Sequence, residues 1–184
     1  ERPALADYLQ QRDWTADLNG AMSPWHARAQ SQLAALPALW THGDWHASNL
    51  SWSLENKRIE VCAVFDFGLA ARNFALFDLA TAIERNAIAW LALDQDAARP
   101  QIARALIAGY RQHHPLTAAD IRLLAELLPL VHVDFALSEV EYYHAITGSQ
   151  ANAELAYTGF LLGHPIWFRS PAGTALLDAI RACA

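Results

Sequence analysis

The chain has 184 residues, of which 54% are hydrophobic and only 17% charged, and its formal net charge is -6. That length suits one well-buried domain, and the acidic balance opposes a polyphosphate backbone, so nucleic acid is excluded as a natural ligand. No apolar run approaches the roughly 20 residues a membrane span requires, and the two cysteines, Cys62 and Cys183, suggest neither a disulfide framework nor a zinc site, which fits a reducing, cytoplasmic setting.

In chain order, residues 1–22 are mixed in character, and Ser23 with Pro24 predicts an N-cap and first helical position opening a helix that Pro37 ends. A short apolar segment, 38–41, leads into the polar stretch 42–49. Residues 50–54 and 59–65 then read as the two strands of a hairpin, with Glu55, Asn56 and Lys57 in the loop between them. Beyond Gly68 the apolar spacing becomes helical, predicting helices over 77–93, 99–113, 117–146 and 152–163. Thr117 and Asp120 have the spacing of a capping box, Pro129 predicts a kink in the long helix, and Ser170-Pro171 repeats the N-cap device before a terminal helix. The expected class is α+β, mostly α, with a small β-hairpin carrying the polar residues and helices around it. The large apolar share leaves surface for a partner, self-association included.

The chemistry-bearing stretch is His42-Gly43-Asp44-Trp45-His46-Ala47-Ser48-Asn49, followed after the hairpin by Asp66-Phe67-Gly68. Phosphoryl transfer requires one carboxylate to orient the attacking hydroxyl and oxygen ligands for magnesium beside the phosphates. Asp44 suits the first role. Asn49, with a neutral carbonyl, and Asp66, with an anionic carboxylate, suit the second, because Mg2+ prefers oxygen donors. Gly68 lets the chain turn away from the metal.

On these residues the sequence resembles the aminoglycoside phosphotransferase and choline kinase superfamily, which shares a catalytic lobe with protein kinases. His42-Gly43-Asp44 with His46 and Asn49 is similar to the family's version of the catalytic loop, and Phe77-Asp78-Leu79-Ala80 resembles its D-L-A element. The resemblance implies the C-terminal, catalytic lobe of a small-molecule kinase that uses ATP and Mg2+, with His42 and Asp78 as structural braces and Asp78 accepting hydrogen bonds from the catalytic loop. Ala47 and Ser48 replace the proline and glycine often found there. No glycine-rich loop or suitable lysine precedes His42, and the chain starts at Glu1, so the expectation is a piece whose nucleotide-gripping N-terminal lobe lies elsewhere in the same protein and which is inactive by itself.

Three other readings compete. Gly43-Asp44-Trp45-His46 also fits the opening block of binuclear metallophosphoesterases, but the later ligand blocks of that class are missing. Asp44, Asn49 and Asp66 also suit ordinary turn formers, and, separately, the missing nucleotide-gripping parts suit a kinase-like module that binds a partner without catalysis. For the acceptor, Asp134, Glu139 and Glu141 on the long helix are candidates to meet an amine-bearing substrate, and Trp90, Tyr142 and Tyr143 to stack on a cation. Choline, ethanolamine, homoserine, sugars and aminoglycosides all remain open as acceptors.

Overall fold

The computed structural model describes residues 2–55, 57–93 and 97–184, so Asn56 of the expected hairpin loop lies outside the described residues. Helix α1 (Pro3–Leu9) is followed by α2 (Trp14–Leu33), which starts nine residues before the predicted Ser23 cap. Asp13 is the actual N-cap, its carboxylate accepting from Ala16 N at 3.1 Å. Pro24 therefore sits inside the helix, where its missing N–H leaves the Gly20 carbonyl without an intrahelical donor. Arg169 makes up the loss from outside, donating through Nη2 to Gly20 O at 2.6 Å and to Ala21 O at 2.8 Å.

Two small antiparallel sheets follow. Strands β1 (Leu39–Thr41) and β4 (Ala71–Asn73) pair with Thr41 opposite Ala71, and β2 (Leu50–Glu55) pairs with β3 (Arg58–Val64) as the hairpin. Leu50 lies opposite Val64, so the pairing begins one residue after Asn49 and ends two residues before Asp66. The polar stretch 42–49 thus leaves one sheet and enters the other, and residues 65–70 make the return journey. A mostly helical α+β architecture is what the sequence predicts.

Helix α3 (Ala75–Ala87) buries seven residues, among them Leu79 and Ile83, and packs in the main core with α2, α4 (Pro100–Arg111), α5 (Ala118–Leu127) and α9 (Pro171–Arg181). It stops at Ala87 rather than running to 93, because the next residues turn extended: Ile88 bridges Ala98, and Ala89 N donates to Ala97 O at 2.9 Å. The predicted long helix over 117–146 is divided. The Thr117–Asp120 capping box forms as expected, but Pro129 breaks the helix outright, and α6 (Val133–Glu141) starts only after a run of turns. A π-helical turn, Tyr142–Ile146, ends that segment, and α7 (Gln150–Leu155) leads through a second π-helical stretch, Ala156–Gly163, into α8 (His164–Trp167). Ser170 caps α9 as its sequence predicts, accepting from Gly173 N. A second core joins α1, the first half of α2, α6, α7 and the π-helical stretch. Among the described residues no helix is long and apolar enough to cross a membrane.

Candidate active site

The loop 42–49 is held from beneath by α3. Asp78 accepts the His42 amide on Oδ2 and the Gly43 amide on Oδ1, each at 2.9 Å, and is half-buried. Two adjacent backbone N–H groups sharing one carboxylate fix the loop's direction as it leaves β1. Gly43 sits at φ +80°, and a Cβ there would lie 2.5 Å from the Leu69 carbonyl oxygen, so no larger residue fits. The buried His42 ring accepts from Asp44 N through Nδ1 at 3.2 Å and sits 3.0 Å from Phe65 O through Nε2. A carbonyl can only accept, so the ring carries its proton on Nε2 and is neutral. His42 thereby ties the loop to the segment preceding Asp66.

Asp44, which these bonds position, has both oxygens engaged. Oδ1 accepts from Arg85 Nε at 3.1 Å and forms an ion pair with Nη2 at 3.0 Å, while Oδ2 accepts from Asn49 Nδ2 at 3.1 Å. Asn49 Nδ2 also donates to Asp44 O, at 3.0 Å, and among the described residues the Asn49 side-chain oxygen takes no hydrogen bond. The backbone closes the arrangement, since Phe65 N donates to Asn49 O at 3.1 Å and so sets Asp66 beside Asn49 across the mouth of the hairpin. Asp66 is exposed and holds a left-handed backbone, φ 63° and ψ 63°, a conformation that costs an L-residue of this kind roughly 1 kcal/mol or more. Among the described residues no group donates a hydrogen bond to its carboxylate. A carboxylate and an amide oxygen are donor types that suit a hard divalent cation such as Mg2+.

Sequence reasoning missed two residues of this assembly. Arg85, stacked over the Phe135 ring at 4.2 Å, orients Asp44. Asn86 accepts from Ala47 N at 3.0 Å and donates to Trp45 O at 2.9 Å, clamping the outer half of the loop. Their signal was present: Asp78, Arg85 and Asn86 stand at i, i+7 and i+8, a single stripe of an α-helix.

The acceptor candidates scatter. Asp134 lines a cavity of about 120 Å3 with Thr41, Gly43 and Phe135, next to the loop. Glu141 is taken up by Arg2, whose Nε donates at 2.6 Å, and Asp134 is 3.9 Å from the same guanidinium. Glu139 lies beside Tyr143, whose hydroxyl it pushes above its ordinary pKa. Tyr142 packs edge-on against Tyr143. Trp90 stacks flat on His164, with ring centroids 3.6 Å apart and planes 5° apart, so one face of its indole is already occupied. Below it Glu84 is buried between His132 and His164. Burial alone would raise the Glu84 carboxyl, but the two imidazoles outweigh it and hold its pKa at about 2. Burial pushes the His164 ring below its ordinary value, against the opposing pull of Glu84.

No curated protein matches the sequence. The family model described as the phosphotransferase enzyme family, APH, matches residues 1–116, a span that includes Asp44, Asn49, Asp66, Asp78, Arg85 and Asn86 and stops before α5. Agreement over well more than half of the residues, with the loop and its helical support inside it, establishes that this chain belongs to the APH phosphotransferase enzyme family.

Proposed function

We propose that the protein transfers the γ-phosphoryl group of ATP to a hydroxyl of a small molecule, with this chain as a kinase-like catalytic lobe. The observation that carries the reading is the double restraint on Asp44, gripped on Oδ1 by Arg85 and on Oδ2 by Asn49. A carboxylate held in this way presents its remaining lone pairs in a fixed direction, which is what a base that accepts the hydroxyl proton needs. Asn49 and Asp66 would hold Mg2+, which would supply charge neutralisation on the phosphates as negative charge redistributes in transfer. His42, Asp78 and Asn86 act through the loop backbone as positioning residues. Asp134 is the acidic group best placed to meet an amine on the acceptor, since its cavity adjoins Gly43.

The hairpin supports a further element of the reading. Trp52 pairs with Val61 and Leu54 with Ile59, so these four side chains share one face, and all four are exposed. Such an apolar face is suited to cover by an N-terminal lobe of the same protein that also grips ATP.

The test is transfer of label from γ-labelled ATP with Mg2+ to a pooled panel of amino alcohols, sugars and aminoglycosides, using the whole protein that contains this chain. Asp44→Ala should lower the rate by about 10²–10⁴-fold with ATP binding kept, and Asp66→Asn should weaken the Mg2+ dependence. Transfer that survives Asp44→Ala at full rate would overturn the assignment. A folded whole protein that binds no ATP would instead favour a non-catalytic binding module.

A further inference from the structure

On the far side of Arg85 from Asp44 lies a second group of chemistry-bearing side chains that phosphoryl transfer does not use. Glu84 comes from α3, His132 from the turn before α6 and His164 from the first position of α8, and they are 1%, 5% and 7% exposed. Glu84 Oε1 is 3.2 Å from His132 Nδ1 and 3.3 Å from His164 Nδ1, and one donor atom from each residue lies within 4.8 Å of the other two.

These distances alone would suit two imidazoles hydrogen-bonded to a carboxylate, but the orientations do not. Glu84 Oε1 and His164 Nδ1 are both buried without a hydrogen-bond partner, and His132 Nδ1 approaches the same Glu84 oxygen while its Nε2, on the other side of the ring, is buried and unpaired as well. Buried polar atoms left unpaired are destabilising, and the facing pair of Glu84 Oε1 and His164 Nδ1, with His132 Nδ1 beside it, calls for a common partner. A metal ion supplies it. Two ligands each about 2.0–2.1 Å from Zn2+ at a tetrahedral angle stand about 3.3–3.4 Å apart, close to both observed separations.

We propose that Glu84, His132 and His164 form a Zn2+ site with three protein ligands and an open fourth position. Two imidazoles and one carboxylate favour a first-row transition ion over Mg2+, which distinguishes this centre from the oxygen-only set of Asn49 and Asp66. The two histidines border a cavity of about 490 Å3 that His46, Arg85, Trp90 and Phe135 also line, so water or a donor atom of a molecule in that cavity would complete the shell. The flat stack of Trp90 fixes the plane of the His164 ring. Arg85 lies between the two centres, paired with Asp44 and 3.9 Å from Glu84 Oε2, so occupancy of the site bears on the orientation of Asp44. His132 and His164 both fall outside the residues matched by the family model.

The protein, stripped with a chelator and titrated with Zn2+, should take up about one ion per chain, and His132→Asn or His164→Asn should weaken uptake by at least ~100-fold, more than loss of an outer-shell partner does. The exposed His113→Ala should leave it unchanged. Near-ultraviolet circular dichroism reports whether each variant folds. Should a variant not fold, Co2+ in the unaltered protein decides: intense visible absorption marks the four-coordinate buried site, and the weak bands of an octahedral ion overturn the proposal. Zn2+ uptake by the unaltered protein no tighter than by a folded double variant also overturns it.

Discussion

Helix α3 and strand β3 flank the same loop, residues 42–49, and are supported in opposite ways. The helix buries seven of its residues, packs against α4 and α5 and still presents Asp78, Arg85 and Asn86 to the loop, whereas all seven residues of the strand are exposed. The loop's rigidity therefore comes from one side. The helix supplies packing and charged hydrogen bonds, and the hairpin supplies backbone pairing and carries Asp66 to its place. A small β element can afford such exposure only while its neighbours hold its ends.

The sharpest way to break that contrast is to cut both elements equally. Ile83→Ala on α3 should cost about 2–5 kcal/mol in chemical denaturation, the range for a buried isoleucine. Asp78→Ala should cost about 3 kcal/mol, because it strips two N–H groups of a charged acceptor, and should lower kcat more than it raises KM. Asp78→Asn, which keeps one acceptor, should fall between. Gly43→Ala should cost about 2 kcal/mol through its positive φ and the Leu69 carbonyl, with the loss read in activity before stability if the loop shifts instead.

A pH scan separates the second core from the site. Tyr8 is pushed up to about 12 and Tyr157 further up, each chiefly by burial and then by a carboxylate partner, Glu154 or Asp17. A raised folded pKa means that the neutral phenols contribute fully below pH 10 and lose that contribution as pH rises toward 12, so thermal stability should fall across that window. Tyr8→Phe with Tyr157→Phe should flatten the fall. The smallest effect closes the comparison: Ile59→Ala on the exposed strand should change stability by no more than about 0.5 kcal/mol. A loss near that of Ile83→Ala would show that the hairpin is packed in solution and end the contrast.

Local chemistry was legible in the sequence wherever it rests on nearest neighbours. The hairpin followed from its alternating apolar residues, the Thr117 box and the Ser170 cap from side chains that bond amides three residues on, and the family from motifs compressed into residues 42–80. Ser23-Pro24 misled because a helix tolerates an interior proline when a distant residue, here Arg169, satisfies the carbonyls it strands. The end of α3 and the break at Pro129 were misjudged for a related reason, since apolar spacing continues through a turn when both sides of the turn are buried. Only the tertiary structure could unite Glu84, His132 and His164, because residues so far apart in the chain meet through the packing of three helical segments and leave no periodic trace in the sequence.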